Sequence, residues 1–156
     1  MNPRRLVNLA IEPALKLLPA NMDSRSARVM MVAIALQESR IQYRRQVGGP
    51  ARGYWQFEQG GGVRGVLTHA ETRQHIQSAL VALDYPAAYD PAQCYTAIEH
   101  NDILAAVFAR LNLWWASGPL PVDAGTGWDY YINTWRPGSP HRHTWDAFYA
   151  QAWAAT

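Results

Sequence analysis

A nearly unbroken apolar run at residues 27–36 constrains the fold of this chain more than any other stretch. Only Arg28 interrupts it, and apolar side chains occupy both faces of the helix that its spacing predicts. Such a helix must be surrounded by other elements. Ser24 or Asp23, which precede the run, are suited to cap its first turn. We therefore expect a helix over residues 24–38 that is buried nearly all round.

Glu38 follows this run and is the first candidate for chemistry. The negative end of the helix dipole and the apolar surroundings both disfavour an ionised carboxylate, so both raise its pKa. A carboxyl group that stays protonated near neutral pH suits a general acid. The alternative is that Glu38 reaches solvent or pairs with Arg40, Arg44 or Arg45.

Ser39 and the sequence GYWQ at residues 53–56 accompany Glu38. This combination resembles the lysozyme-like superfamily of lytic transglycosylases and goose-type lysozymes. In that superfamily a Glu-Ser pair ends a core helix, and a Gly-Leu-Met-Gln segment forms the floor of the sugar cleft. Tyr and Trp stand here in place of Leu and Met. The resemblance covers residues 27–58 and is greatest to bacteriophage-encoded members.

The resemblance implies roles for three residues. Glu38 would be the general acid, and in transglycosylases the same Glu then acts as a base on the muramyl 6-hydroxyl, which gives a 1,6-anhydro product. Ser39 would hydrogen-bond near the site and help to place Glu38 and the substrate; alternatively, it satisfies a helix carbonyl. Gln56 would contact the sugar or orient the acid; alternatively, it is an ordinary turn amide.

Glu58 leaves the reaction type open. Goose-type lysozymes carry an acidic residue two places after the motif Gln, where it positions the attacking water, and Glu58 has this spacing. Inverting glycosidases hold their two carboxyl groups about 6.5–9.5 Å apart to leave room for water. Glu58 alternatively pairs with Arg52 or Arg64 on the surface.

The aromatic tail, residues 125–153, is expected to form another wall of the cleft. Family members carry a late Tyr-Asn element close to the catalytic Glu, and Tyr131 and Asn133 are the candidates for it. Other aromatic side chains either stack on sugar faces or belong to the core. These are Tyr54, Trp55, Trp128 and Trp135.

The remaining pattern predicts a mainly α fold, α+β at most. One lysozyme-like domain over residues 1–156 would contain about seven helices, with a loop or small hairpin between the catalytic helix and the GYWQFE segment. Further helices are predicted at residues 3–18, 63–68, 71–83 and 92–115, and two more in the tail. The long helix is expected to break near residues 100–102 and to stop at 117–121, and Gly60–Gly62 is expected to be a flexible link.

Several function classes are not expected. The glycine triplet lacks the ending of a phosphate loop, and His141 and His143 lack the neighbours that a metal site requires, so no cofactor or metal is predicted. The arginines at residues 40–52 show no recognition-helix pattern, which argues against nucleic acid as a partner. No stretch is long and apolar enough for a membrane span. We expect a monomer.

The resemblance makes the peptidoglycan glycan strand the expected partner. The expected activity is cleavage of the β-1,4 bond between N-acetylmuramic acid and N-acetylglucosamine by a lytic transglycosylase. The alternatives are a hydrolytic lysozyme, an enzyme for chitin-like polymers, and a non-catalytic sugar-binding or virion structural module. Because Glu12, Pro13 and Lys16 interrupt the N-terminal apolar segment, we expect no signal peptide. Such a protein would be made in the cytoplasm and reach the periplasmic cell wall after holin-type release, as an endolysin, or as a virion component.

Overall fold

A computed structural model describes residues 1–116 and 118–156 of the chain. Ser117, which belongs to the predicted helix stop, lies outside the described residues. Over the described residues the structure consists of helices and turns without a β-strand, so the mainly α prediction is confirmed. The α-helices are α1 (Pro3–Leu6), α2 (Glu12–Leu15), α3 (Arg25–Ser39), α4 (Arg64–Thr68), α5 (Arg73–Ala82), α6 (Pro91–His100), α7 (Asp102–Trp114), α8 (Ala124–Trp135) and α9 (Arg142–Ala155).

The apolar run forms α3, as its spacing predicts. The Oγ atom of Ser24 accepts a hydrogen bond from the amide of Ala27 at 3.1 Å, which identifies the N-cap. Side chains at positions 29–36 are at most 5% exposed, because α1, α7 and α9 pack around this helix. Arg40 ends it in the left-handed conformation, with φ of 57°. Glu38 therefore lies in the last turn.

The predicted break in the long C-terminal helix is confirmed. α6 ends at His100, and the side chain of Asn101 accepts a hydrogen bond from the amide of Leu104 and so begins α7. Positions 104–113 of α7 are buried, which makes α7 a second core helix beside α3. A single hydrophobic core joins residues from the first helix to the last.

The segment between α3 and α4 forms a compact loop with two isolated antiparallel bridges, Arg45–Arg52 and Arg52–Phe57. Arginines attach this loop to α6 and α7. Arg44 pairs with Asp102 at 2.7 Å, and Arg45 and Arg52 pair with Glu99 at 2.9 and 3.0 Å. The loop is thereby held over the junction of the two helices.

The glycine triplet is not a flexible link, and that prediction is wrong. Gln59–Val63 forms a π-helical turn, kinked at Gly61, and α4 begins at the next residue. A Cβ atom on Gly62 would lie 2.6 Å from a ring carbon of Phe57, so this glycine is required for close packing. Glycine-rich composition indicated mobility here, whereas the folded chain uses the small size of the residue.

Candidate active site

A cavity of about 730 Å³ lies between the C-terminal end of α3, the GYWQFE loop and the C-terminal half of α8. Both predicted catalytic carboxylates line it, together with two of the predicted substrate-binding residues. The lining residues used below are Glu38, Gln56, Glu58, Asn112, Tyr131 and Trp135. The fold therefore brings the end of the apolar run and the aromatic tail to one site.

Glu38 is half-buried in the wall of this cavity. The Tyr131 hydroxyl donates a hydrogen bond of 2.7 Å to its Oε1 atom. Burial raises the pKa of Glu38 to about 7, although the hydrogen bond from Tyr131 acts in the opposite direction. Desolvation, rather than an unfavourable charge, is thus the cause of the raised pKa.

The arginines that follow α3 do not neutralise Glu38. Arg44 and Arg45 are engaged by the carboxylates of α7 and α6, and Arg40 lies over the ring of Phe148 with its guanidinium carbon 4.3 Å from the ring centre. Among the described residues no cation forms a salt bridge with Glu38. The surface ion pair weighed as the alternative role is therefore not formed.

Aromatic packing holds Tyr131 in position. Its ring is stacked on that of Trp145, with the ring centres 5.1 Å apart and an interplanar angle of 10°. The indole N–H of Trp145 donates a hydrogen bond of 2.7 Å to the carbonyl of Ala124 at the start of α8. Burial and the neighbouring Glu38 raise the pKa of Tyr131, so its hydroxyl keeps its proton and remains a donor.

Ser39 joins α3 to the GYWQFE loop and does not line the cavity. Its side chain is buried, and its Oγ atom lies 2.7 Å from the carbonyl oxygen of Tyr54 and 3.1 Å from that of Ala35. The same oxygen accepts a hydrogen bond from the amide of Ile41 at 3.2 Å. Ser39 therefore satisfies the helix carbonyl of Ala35, which is the alternative role given for it, and these backbone groups occupy its hydroxyl.

Tyr54 and Trp55 are core residues, so their prediction as sugar-stacking residues is wrong. Tyr54 is 3% exposed and Trp55 is fully buried. The indole N–H of Trp55 donates a hydrogen bond of 2.8 Å to the carbonyl of Met31 in α3. Left-handed backbone at Gly53 and Gln56 reverses the chain around these two residues and turns them inward.

Gln56 and Glu58 follow this turn and do line the cavity. The Gln56 side-chain N–H donates a hydrogen bond of 2.8 Å to the carbonyl of Gly53, which fixes the amide against its own loop. Glu58 is exposed, and the predicted partner Arg52 bonds Glu99 instead. Both carboxylates therefore border the same space, one half-buried and the other in solvent.

Asn133 does not belong to the site. It is exposed on α8 and lies outside the cavity lining, so its substrate contact stays a prediction. Residues two apart on a helix point in different directions, and Tyr131 alone faces Glu38.

Asn112, another residue of the cavity, was not predicted. Asn112 of α7 is buried, and its side-chain oxygen accepts a hydrogen bond from the indole of Trp115 at 3.3 Å. A lone amide between Leu111 and Leu113 was a signal for it, because buried polar groups need a partner. Trp135 packs on Phe57 and was named only as one of several aromatic candidates.

The described residues contain no group of three or more His, Cys, Asp or Glu side chains arranged to hold a metal ion. None of their helices combines the length and the hydropathy that crossing a bilayer requires.

The chain matches no protein-family model, no curated protein and no solved structure. The family resemblance of residues 27–58 and the lysozyme-like fold therefore stay predictions.

Proposed function

We propose that the protein is a glycosidase that cleaves the β-1,4 bond between N-acetylmuramic acid and N-acetylglucosamine in peptidoglycan, by the lytic-transglycosylase route. The observation that carries this proposal is Glu38: a half-buried carboxyl group in a cavity wall, with a pKa raised to about 7 and no cationic partner among the described residues. Keeping a carboxyl in this environment costs stability, and such a cost is typical of a group that must deliver a proton.

Protonated Glu38 would act first as the general acid. Its Oε1 atom accepts the Tyr131 hydrogen bond, so the other carboxyl oxygen is the one that carries the transferable proton. The proton passes to the glycosidic oxygen as the bond from that oxygen to the muramyl C1 atom breaks. Positive charge develops on the sugar ring while Glu38 becomes a carboxylate.

The same carboxylate would act next as the base. It removes the proton of the muramyl 6-hydroxyl, and the O6 atom closes onto C1 to form the 1,6-anhydro ring. Glu38 is protonated again at the end of the cycle, and no water is consumed. Tyr131 favours the charged intermediate form of Glu38, because a hydrogen bond to a carboxylate is stronger than one to a neutral acid.

A hydrolytic lysozyme is the second candidate, and Glu58 favours it. This exposed carboxylate borders the same cavity as Glu38 and follows Gln56 at the goose-type spacing. An ionised Glu58 would orient a water molecule for attack at C1, which gives a reducing muramyl end. An enzyme for chitin-like polymers would use the same acid. A non-catalytic sugar-binding or virion structural module would have no need of a costly buried carboxyl.

The experiment is mass spectrometry of the fragments released from purified peptidoglycan. The wild type is compared with Glu38→Gln, with Glu58→Gln, and with Glu71→Gln as a control, because Glu71 is exposed and outside the cavity. Anhydro ends, lighter by one water than reducing ends, are expected from the wild type, from Glu58→Gln and from the control. Glu38→Gln should release nothing.

Each other outcome has a definite meaning. If the wild type releases reducing ends and Glu58→Gln does not, the protein is a hydrolytic lysozyme and the transglycosylase proposal is rejected. Retention on peptidoglycan without release by the wild type would favour the binding module. Equal release by Glu38→Gln and the wild type would reject Glu38 as the catalyst. Action on the cell wall also implies delivery by holin-type release or by a virion, which is part of the proposal.

A further inference from the structure

A second cavity, of about 450 Å³, lies at the opposite end of α3 from Glu38. It shares no lining residue with the first cavity, and the helix between them is 15 residues long, or about 22 Å at 1.5 Å per residue. The first turn of α3, the buried face of α7 and the side of α8 enclose it. The residues that matter here are Ser24, Ser26, Arg110, Trp114, Leu120 and Tyr130.

Arg110 is the unusual residue of this cavity. It is only 2% exposed, and its Nε–H donates a hydrogen bond of 2.6 Å to the carbonyl of Met22. Its Nη1 atom is buried and has no hydrogen-bond acceptor among the described residues. A guanidinium group offers five N–H donors, and a buried unpaired donor is unfavourable, more so when it is charged. Arg110 therefore places an incompletely hydrogen-bonded positive charge at the wall of the cavity.

The charge of Asp23 favours the ionised form of Arg110, but no hydrogen bond joins the two side chains among the described residues. Asp23 accepts two hydrogen bonds from Arg28, each of 2.9 Å, so both of its oxygens are occupied. Arg28 also binds Glu12 at 2.8 Å. Burial lowers the pKa of Arg110 to about 10, which leaves it charged at neutral pH. The cavity thus keeps a positive charge that its own side chains leave incompletely paired.

The N-terminal turn of α3 adds a second attraction for an anion. The amides of Arg25 and Ser26 are the first two of the helix and have no intrahelical acceptor, whereas the amide of Ala27 is capped by Ser24. The helix dipole is positive at this end. Ser26 lines the cavity together with Arg110, so the first turn of α3 and a guanidinium border one space.

The remaining walls select the kind of anion. The indole of Trp114 lies under the guanidinium of Arg110, with the guanidinium carbon 5.3 Å from the ring centre, and Leu113, Pro119 and Leu120 are apolar. These apolar side chains form one part of the wall, beside the polar residues Ser24, Ser26 and Tyr130. A planar carboxylate matches the fork of a guanidinium, and an apolar group attached to it would occupy the rest of the space.

We propose that this cavity is a binding site for a carboxylate joined to a small apolar or aromatic group, with Arg110 and the first turn of α3 as its anion-binding elements. The inference goes beyond the proposed function and does not depend on it. Two sources share this chemistry, a small organic acid and the C-terminal end of a peptide chain.

The test is a titration followed by the amide NMR signals of Arg25 and Ser26 in the full chain. Sodium phenylacetate should give saturable shifts, and neutral phenylacetamide should give none. Acetyl-Ala-Phe, which ends in a carboxylate, is titrated in parallel. Either acid binding tightly supports the proposal, and the tighter of the two identifies the source. If sodium phosphate binds and phenylacetate does not, the proposal is overturned.

Variants connect the binding to the named residues. Arg110→Met should weaken phenylacetate at least tenfold, while Arg64→Met, an exposed arginine outside both cavities, should leave the affinity unchanged. Ser26→Asp covers the case in which Arg110→Met does not fold, because it adds a carboxylate at the favourable end of a helix and should abolish binding with the fold intact. Unchanged affinity in Arg110→Met, or in Ser26→Asp, would overturn the proposal.

Discussion

At the scale of single residues, the decisive feature is one carboxyl group held where its charged form is disfavoured. Glu38 has a pKa of about 7 against an ordinary value of 4.5, because burial removes water from it. The folded chain binds a proton here more tightly than the unfolded chain does. The contribution of protonated Glu38 to the free energy of unfolding is therefore fully present below pH 4.5, and it is lost as the pH rises to about 7.

Glu38→Gln is expected to stabilise the protein at alkaline pH while it abolishes activity. The amide can accept the same Tyr131 hydrogen bond but never ionises. The free energy of unfolding should match the wild type near pH 4 and exceed it by about 3 kcal/mol above pH 7. Denaturant unfolding at about pH 4 and about pH 8 measures the difference, with Glu71→Gln as the control. A gain that is the same at both pH values would contradict the assigned burial.

Tyr131→Phe is expected to move the pH dependence of activity upward. The Tyr131 hydrogen bond lowers the pKa of Glu38, so its removal raises that pKa and shifts the basic limb of the kcat profile to higher pH. The plateau should fall roughly 10–100-fold, since a hydrogen bond to a charged group is worth about 1.5–3 kcal/mol. A pH–rate profile measures both effects. A lower plateau with an unmoved limb would limit Tyr131 to a structural role.

At the scale of elements, Ser39 connects α3 to the loop that carries Gln56 and Glu58. Ser39→Ala should destabilise the protein by about 1–3 kcal/mol, because the buried amide of Ile41 loses its acceptor and the carbonyl of Tyr54 its donor. Ser78→Ala is the matched control: its hydroxyl also bonds a helix carbonyl, at 3.1 Å, but in solvent. The control should change the free energy of unfolding by less than about 0.5 kcal/mol. Equal effects in the two variants would contradict the linking role.

Helices whose own sequence carries an apolar period or an N-cap residue were predictable. The apolar period and Ser24 predicted α3, and Asn101 predicted the break between α6 and α7. The orientation of Tyr54 and Trp55 was not predictable, since it depends on a left-handed conformation at Gln56, a residue type that does not demand one. Gly62 was misread for a similar reason: the ring that it must accommodate belongs to Phe57, and the sequence does not reveal that contact.

The candidate site was predicted in its chemistry more fully than in its geometry. A carboxyl at the end of an apolar helix made Glu38 a candidate, and the resemblance of Glu38-Ser39 and GYWQ to the lysozyme-like superfamily gave it the role of the acid. The hydrogen bond to Tyr131 joins residues that are 93 positions apart, and only packing of α8 and α9 against α3 produces it. The same packing separates Tyr131 from Asn133, which the linear motif had treated as one unit.

At the scale of the whole molecule, the site depends on how closely α8 approaches the core. Gly127 lies on the packed face of α8, where an added Cβ atom would meet Tyr149 at 3.0 Å and Met30 and Trp145 at 3.4 Å. These neighbours belong to α3 and α9, the helices that carry Glu38 and the ring stacked on Tyr131. The spacing at Gly127 therefore controls whether the Tyr131 hydroxyl reaches the carboxyl.

Gly127→Val is expected to impair the site and the fold together. The larger side chain would push α8 outward and destabilise the protein by about 1–3 kcal/mol. Loss of the Tyr131 hydrogen bond should also raise the pKa of Glu38, so the basic limb of the activity profile moves upward as in Tyr131→Phe. Gly125→Val, on the exposed side of the same helix, is the control for β-branching and should leave that limb in place. If Gly127→Val loses stability but keeps the wild-type limb, the approach of α8 does not set the acidity of Glu38, and the hydrogen bond survives the displacement by local adjustment.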